Sequence, residues 1–399
     1  MLLVPLLAVL AGVTAALQPA PVFKLDLARP PTERWRGAVQ AVLQMHPWEY
    51  SFGPLLSAYN TTTYVLLTPG EVSVLHDSLR RKFPSHLGEV EGIAADFALA
   101  GHPEVTVEFL AMMVWWHELA HIADLKVERY GAFVTQECTG ILAVPAGFRE
   151  PIIHGRNLDQ GTPSGRNVTL DIRVVNGSQQ LYNGYDFYWF SSGFVTAQVP
   201  GYVTLEENWR TGPIDRATAF AQIASNDAAV IPQVLMFRFV AEGTHGAPGV
   251  PKFDAVVQYL TQTANFVAPF YAILSGYGGG RDGARMGAVL AVGAGRNGTR
   301  SATISDDTIA AGGDWYLVQT NYDWWVTPLS DDRRRAMAMQ QMALHGRAAG
   351  ATTLGVWQSI SAYPVKNTWT FYTVVATYAD SLWQTSWVRR SMVPGNESN

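Results

Sequence analysis

The spacing of apolar residues changes character near residue 137, from mostly helical to dominated by strands, which points to a layered fold. Before that point the spacing is helical. Residues 33–45 set Trp35, Val39, Val42 and Leu43 on one stripe and stop before Pro47. Helices are predicted over 71–83, after Pro69-Gly70, and over 89–100, before Gly101. Residues 105–122 predict one long, strongly apolar helix. Beyond 137, β-branched and aromatic runs bounded by turn residues predict strands over 139–144, 168–175, 181–190, 270–275, 287–292, 315–319 and 369–378. Helices are predicted among them at about 217–225, 231–242, 253–263, 331–345 and 353–361. The pattern is that of a layered α+β chain.

Charge removes one class of partner. Twenty-eight basic against 33 acidic residues give a net charge of −5 and offer nucleic acid no electrostatic footprint. A single cysteine excludes an intrachain disulfide and any cysteine-based metal cluster. Residues 1–16 read as a secretory leader, with an apolar run over 2–13 and the small residues Ala15 and Ala16 at its end. Five N-x-Ser/Thr sequons, at Asn60, Asn167, Asn176, Asn297 and Asn396, accord with the secretory route as glycosylation positions. Thirteen tryptophans in a chain with only 15% charged residues suggest broad apolar surface suited to a lipid-like ligand.

His117-Glu118-Leu119-Ala120-His121 matches the HExxH pattern of zinc peptidases. On a helix, positions i and i+4 face one side, so both imidazoles could meet a metal while Glu118 activates water. A third ligand is missing. The extended spacing would want Gly at 124 and His at 127, where Asp124 and Val127 stand, and Glu128 is too near in sequence. The plainer reading is a helix whose histidines are hydrogen bonded beside Trp115 and Trp116, and no metal or other cofactor is expected.

Cys138 stands where the helical part gives way to strands, and a lone thiol in a secreted chain calls for an explanation. His154-Gly155-Arg156-Asn157-Leu158-Asp159 follows a turn-forming stretch that can fold two strands side by side. If the Glu137–Cys138 bond is broken, Cys138 carries both a thiol and an α-amine. That amine has an ordinary pKa of about 7.7–8.0 and can take the thiol's proton. Nucleophile and base then share one residue. Arg156 on the paired strand would lower the thiol's pKa, and Asp159 could hold the α-ammonium. The plain alternative for Arg156 and Asp159 is an ordinary turn ion pair.

A second cluster runs Thr320-Asn321-Tyr322-Asp323-Trp324-Trp325 and then Asp331-Asp332-Arg333-Arg334. Asn321 ends a strand-like run and is placed to donate to an oxyanion. Arg333 could tie the following helix to the site through a carboxylate. The alternative is a turn asparagine and a capped helix start.

On these residues the chain resembles the acid ceramidase and N-acylethanolamine-hydrolysing acid amidase family. The resemblance rests on Cys-Thr-x-Ile at 138–141, His-Gly-Arg-Asn-Leu-Asp at 154–159, Thr-Asn-Tyr-Asp-x-Trp at 320–325 and Asp-Asp-Arg-Arg at 331–334, with a weaker echo at Thr204-Leu205-Glu206-Glu207. It implies an N-terminal-nucleophile hydrolase with an αββα sandwich, preceded by a helical region. It further implies self-cleavage between Glu137 and Cys138 at acidic pH in a lysosomal or secreted precursor. The products would be an α subunit over 17–137 and a β subunit over 138–399, joined as a heterodimer. Cys138 is then nucleophile and base, with Arg156 and Asp159 serving thiol and amine, Asn321 helping to form the oxyanion hole, and Arg333 and Glu207 supporting. The implied reaction is hydrolysis of a lipid amide, an N-acylethanolamine or a ceramide, through a thioester. The alternatives to be separated from it are the zinc peptidase and a catalytically silent lipid-binding protein.

Three departures stand out. Gly140 sits where a small hydroxyl residue is expected, Glu137 replaces an apolar residue before the scissile bond, and the run 185–190 is bulky enough to reshape a cleft. The helix over 105–122 is either buried core or an apolar surface through which the protein would meet a membrane peripherally.

Overall fold

The computed structural model describes residues 17–18, 20–122, 125, 137–147, 150–278, 283–296, 298–379 and 383–389. The leader expected at 1–16 and the sequons Asn297 and Asn396 lie outside them. Two sheets form the centre. The six-stranded sheet runs in the order β1 (Leu17–Gln18), β14 (Trp383–Arg389), β13 (Thr370–Ala376), β4 (Ile153–Asp159), β3 (Glu137–Ala143) and β12 (Tyr316–Gln319). The eight-stranded sheet runs β11 (Arg300–Ser305), β10 (Arg285–Val292), β9 (Phe270–Tyr277), β8 (Val203–Trp209), β7 (Thr196–Val199), β6 (Gln179–Asp186), β5 (Leu170–Asn176) and β2 (Val22–Asp26). Every pairing is antiparallel except β2 with β5.

Helices cover the outer faces. In chain order they are α1 (Ala38–Met45), α2 (Phe52–Thr62), α3 (Pro69–Lys82), α4 (Pro84–Leu99), α5 (Val107–Val114), α6 (Trp116–Leu119), α7 (Arg216–Ala224), α8 (Gln233–Glu242), α9 (Phe253–Gln258), α10 (Arg333–Gly350) and α11 (Thr353–Ser361). Strand alternation explains the layering. On β3, Ile141 and Ala143 pack with Ala338, Met342, Val356 and Ile360 of α10 and α11. Leu142 points the other way, to Tyr271 and Ile273 of the second sheet. Leu205, Ala272 and Leu274 join the core formed with α1 to α6. The molecule is an αββα sandwich.

The N-terminal region is not purely helical: it supplies one edge strand to each sheet. It is also sewn into the core by charge. Glu89 of α4 is wholly buried and accepts from Trp35 Nε1 at 2.9 Å and Arg34 Nη1 at 2.8 Å, and pairs with buried Arg238 of α8. Such a pair holds only because each charge meets several partners; removing one would strand the other.

The helix expected over 105–122 breaks. Trp115 leaves helical geometry at φ −98° and ψ 7°, and its indole donates to Ser78 Oγ at 3.0 Å. Residues 109–119 are buried throughout, so this stretch is core. The bulky run 185–190 is core as well, with Trp189 stacked against Trp35 at 5.6 Å. Among the described residues no helix is long and apolar enough to cross a membrane.

Candidate active site

Cys138 is the second residue of β3, opposite Leu158 of β4, and is 2% exposed. Three of its groups are each held by a different element. Its backbone N–H donates to Asn321 Oδ1 at 2.7 Å. Its carbonyl accepts from Arg334 Nη1 at 2.8 Å. Its thiol lies 3.7 Å from Arg156 Nη2. Burial pushes the thiol up to about 12 and the Arg156 charge pulls against it, while Glu207, Asp159 and Glu206 add to the rise. In the uncut chain this sulfur is therefore a protonated thiol.

Arg156 reaches Cys138 because residues on paired strands alternate faces together: Gly140 faces Arg156, and Cys138 lies two residues along on that face. Burial works against the guanidinium's charge, but Tyr372, Cys138, Glu206 and Glu207 around it favour that charge and raise its pKa. A second N–H, on Nη1, is taken by the Val195 carbonyl.

Asn321 follows β12, which pairs with β3. Its orientation is set by its partners. Arg334 Nη2 donates to its Oδ1 at 2.9 Å, as does the Cys138 N–H, while its Nδ2 donates to the Trp209 carbonyl at 2.9 Å. Two donor-only groups fix the oxygen end toward Cys138. The expected oxyanion donor is thus, in this state, an acceptor that holds the Cys138 nitrogen.

Of the two neighbouring arginines, the structure brings Arg334 rather than Arg333 to Cys138. Arg333 is exposed, whereas Arg334 is buried and meets the Cys138 carbonyl, Thr139 Oγ1 at 3.4 Å and Asn321. Asp332 decides the phase: it caps α10 by accepting the Arg335 N–H at 3.1 Å and also accepts from Thr320 Oγ1, locking the helix start to the end of β12. Asp159 is fully buried, accepts from Asn367 Nδ2 at 3.0 Å and sits 3.9 Å from Arg334 Nη1. Sequence reading missed both Arg334 and Asn367. The capping pattern at Asp332 was the available signal for the first; nothing local signals the second.

Glu207 belongs to β8 and lies 3.7 Å from His117 Nδ1. Burial drives Glu207 up to about 8 against the pull of Arg156, and drives His117 down to about 3. The HExxH residues each serve a different neighbour. Glu118 Oε1 accepts the Gln233 N–H at 2.7 Å at the start of α8. His121 stacks on Trp209 at 3.5 Å and sets Nδ1 2.9 Å from the Gly212 carbonyl. Among the described residues no group of three or more His, Cys, Asp or Glu is arranged to hold a metal.

Of the described sequons, Asn60 and Asn176 are exposed. Asn167 is buried and its amide donates to the Tyr50 carbonyl at 2.7 Å, so it is not available to a glycan in this fold.

No family model matches the chain. The rabbit (Oryctolagus cuniculus) N-acylethanolamine-hydrolyzing acid amidase is 30% identical over 254 residues, covering 63% of this chain and 62% of the relative. The Caenorhabditis elegans protein of that name is 24% identical over 375 residues, covering 92% and 93%. Bovine (Bos taurus) acid ceramidase is 24% identical over 379 residues, covering 90% and 83%. A solved structure of the Caenorhabditis elegans N-acylethanolamine-hydrolyzing acid amidase ortholog superposes with a TM-score of 0.50 at 25% identity, covering 63% of this chain and 99% of the solved one. Along most of its length the chain is similar to acid amidases and acid ceramidases. The sandwich is accordingly the N-terminal-nucleophile hydrolase fold. The matched stretch spans less than two thirds of the length of the mammalian amidases.

Proposed function

We propose that the chain is a self-processing cysteine amidase that hydrolyses lipid N-acyl amides, N-acylethanolamines or ceramides, to fatty acid and amine. The observation that carries this reading is the convergence on Cys138, whose nitrogen, carbonyl and thiol are each held by a different element. In the intact chain the thiol is buried and protonated. Cleavage of the Glu137–Cys138 bond would free an α-amine beside it, with an ordinary pKa of about 7.7–8.0. Asn321 Oδ1, which already accepts the Cys138 N–H, would hold that amine in place.

The chemistry then runs in two steps. The amine takes the thiol's proton, sulfur adds to the amide carbon, and the proton passes to the departing amine as the thioester forms. Water then adds to the thioester, giving the fatty acid and restoring the thiol. Arg156 stabilises the thiolate. Asp159, held by Asn367, keeps Arg334 on the Cys138 carbonyl.

Cleavage would leave residues 17–137 and 138–399 as a heterodimer joined without a disulfide, held by β2 on β5 and the shared core. The solved relative, matched over 99% of itself by 63% of this chain, is close to the second piece in proportion, which supports the division. A leader-like first stretch, the exposed sequons at Asn60 and Asn176 and carboxyls that favour acid support a location in the lysosome or outside the cell.

Mass spectrometry after acid incubation tests the reading. A new chain beginning at Cys138 is expected, together with hydrolysis of palmitoyl-ethanolamide or a short-chain ceramide. Both should vanish in Cys138→Ala. Turnover by the uncut chain, or cleavage surviving that substitution, would overturn it.

A further inference from the structure

Gly140 faces a carboxylate. A Cβ at this position would stand 2.7 Å from Glu206 Oε2 and 2.5 Å from Ile273 Cδ1, so a side chain here and Glu206 in its present place exclude one another. The departure from a hydroxyl residue at 140 is thus coupled to what occupies the opposite sheet. Glu206 is wholly buried, and one of its oxygens lies 2.7 Å from His154 Nε2. The other ring nitrogen of His154 lies 2.9 Å from Thr204 Oγ1, itself 2.6 Å from Ser275 Oγ. His154 therefore seats Glu206 firmly from β4.

His154 and Arg156 alternate to the same face of β4. Between them and β8 lies a cavity of about 10 Å³, on the scale of one water molecule. His154, Arg156, Thr196, Thr204 and Glu206 line it, and all are buried. Two polar atoms of that lining, Arg156 Nε and Glu206 Oε1, are buried without a hydrogen-bond partner. The other two edges of the guanidinium are spent on the Val195 carbonyl and the Cys138 thiol.

We propose that Glu206, seated by His154 in the space that Gly140 leaves, is a positioning residue: through one water in this cavity it holds the Nε edge of Arg156 and keeps the guanidinium on Cys138. The proposal rests on Cys138 being the nucleophile. It makes Gly140, Glu206 and His154 one unit behind the reactive residue.

The sign of one measurement separates positioning from mere proximity. Glu206→Gln removes a negative charge near the thiol. Acting as a bystander, that loss would ease ionisation and speed alkylation of Cys138 by iodoacetamide. Acting through Arg156, it releases the guanidinium, raises the apparent thiol pKa by about one unit and slows alkylation about tenfold below that pKa. The pH profile of iodoacetamide labelling, read on acid-incubated protein by peptide mass spectrometry, gives the answer. Glu206→Asp, which keeps the charge, should recover part of the rate. Gly140→Ala, which displaces the carboxylate while leaving it charged, should slow labelling in the same direction, and decides the matter if Glu206→Gln does not fold. Labelling at or above the wild-type rate in these variants overturns the proposal and leaves the nucleophile standing. A wild-type Cys138 that resists labelling altogether would remove the nucleophile, and the proposal with it.

Discussion

Two stretches of this chain carry residues suited to catalysis, and both are buried. At 117–121 the side chains disperse: His117 turns to β8, Glu118 to the start of α8 and His121 to the face of Trp209. At Cys138 the opposite holds, because β4, the end of β12 and the start of α10 all send groups to one residue. A motif is a list of donors, and chemistry needs them to meet at a point. The backbone explains the contrast. A helix that breaks at Trp115 before His117 hands its side chains to whatever packs nearby, whereas paired strands place alternate residues in fixed register.

The contrast breaks or sharpens in three ways. The largest effect is expected at Arg334. Truncation to Ala removes charge-assisted bonds to the Cys138 carbonyl and to Asn321, each worth about 1.5–3 kcal/mol, so cleavage and amide turnover should fall by about 10- to 100-fold or more. Arg333→Ala should stay within about twofold, since exposed charges contribute little. Equal effects from the two would undo the assignment.

Next comes pH. Glu118 and Glu207 are both raised to about 8 by burial, from an ordinary 4.5. Between those values the folded chain keeps protons that the unfolded chain has released, so stability falls as pH rises through that window. His117, pushed down to about 3 from 6.5, acts in the other direction, and only below pH 6.5. From 6.5 up to about 8 the carboxyls dominate, before Lys82, pushed down to about 8 by burial, begins to act the other way, and Tm should drop between pH 6.5 and 8. Glu118→Gln, which can still accept the Gln233 N–H, should flatten that slope. A slope unchanged in this variant would show that Glu118 does not titrate there.

The smallest effect belongs to the metal question. A strong chelator should leave cleavage and hydrolysis unchanged. His121→Ala should cost about 1 kcal/mol of stability from the lost stack on Trp209, read by denaturant titration. Stoichiometric zinc in purified protein would reverse the contrast.

Much of the layout was legible beforehand. The helix at Thr353–Ser361 and the strand at 287–292, inside Arg285–Val292, follow from period and turn residues alone. Cys138, Arg156 and Asp159 were legible because one hairpin fixes all three. What escaped reading depends on non-local partners. Arg333 and Arg334 differ by about 100° around a helix, and only the cap at Asp332 sets which one faces inward. Glu206 and Glu207 alternate on a strand, and which face meets the Cys138 hairpin is decided by the opposing sheet. The short strands Thr196–Val199 and Val203–Trp209 carry polar residues on positions that the sandwich buries, so composition argued against them.

The two edge strands at the front of the chain have a temporal consequence. Leu17–Gln18 and Val22–Asp26 dock on opposite sheets while the peptide is still continuous. A molecule severed after residue 137 would keep its shape but lose the tether that guided those strands home. Heat or urea would then be a one-way insult for the mature form, while the unsevered precursor could recover, and the order of events (fold first, break afterwards) would be written into the connectivity itself.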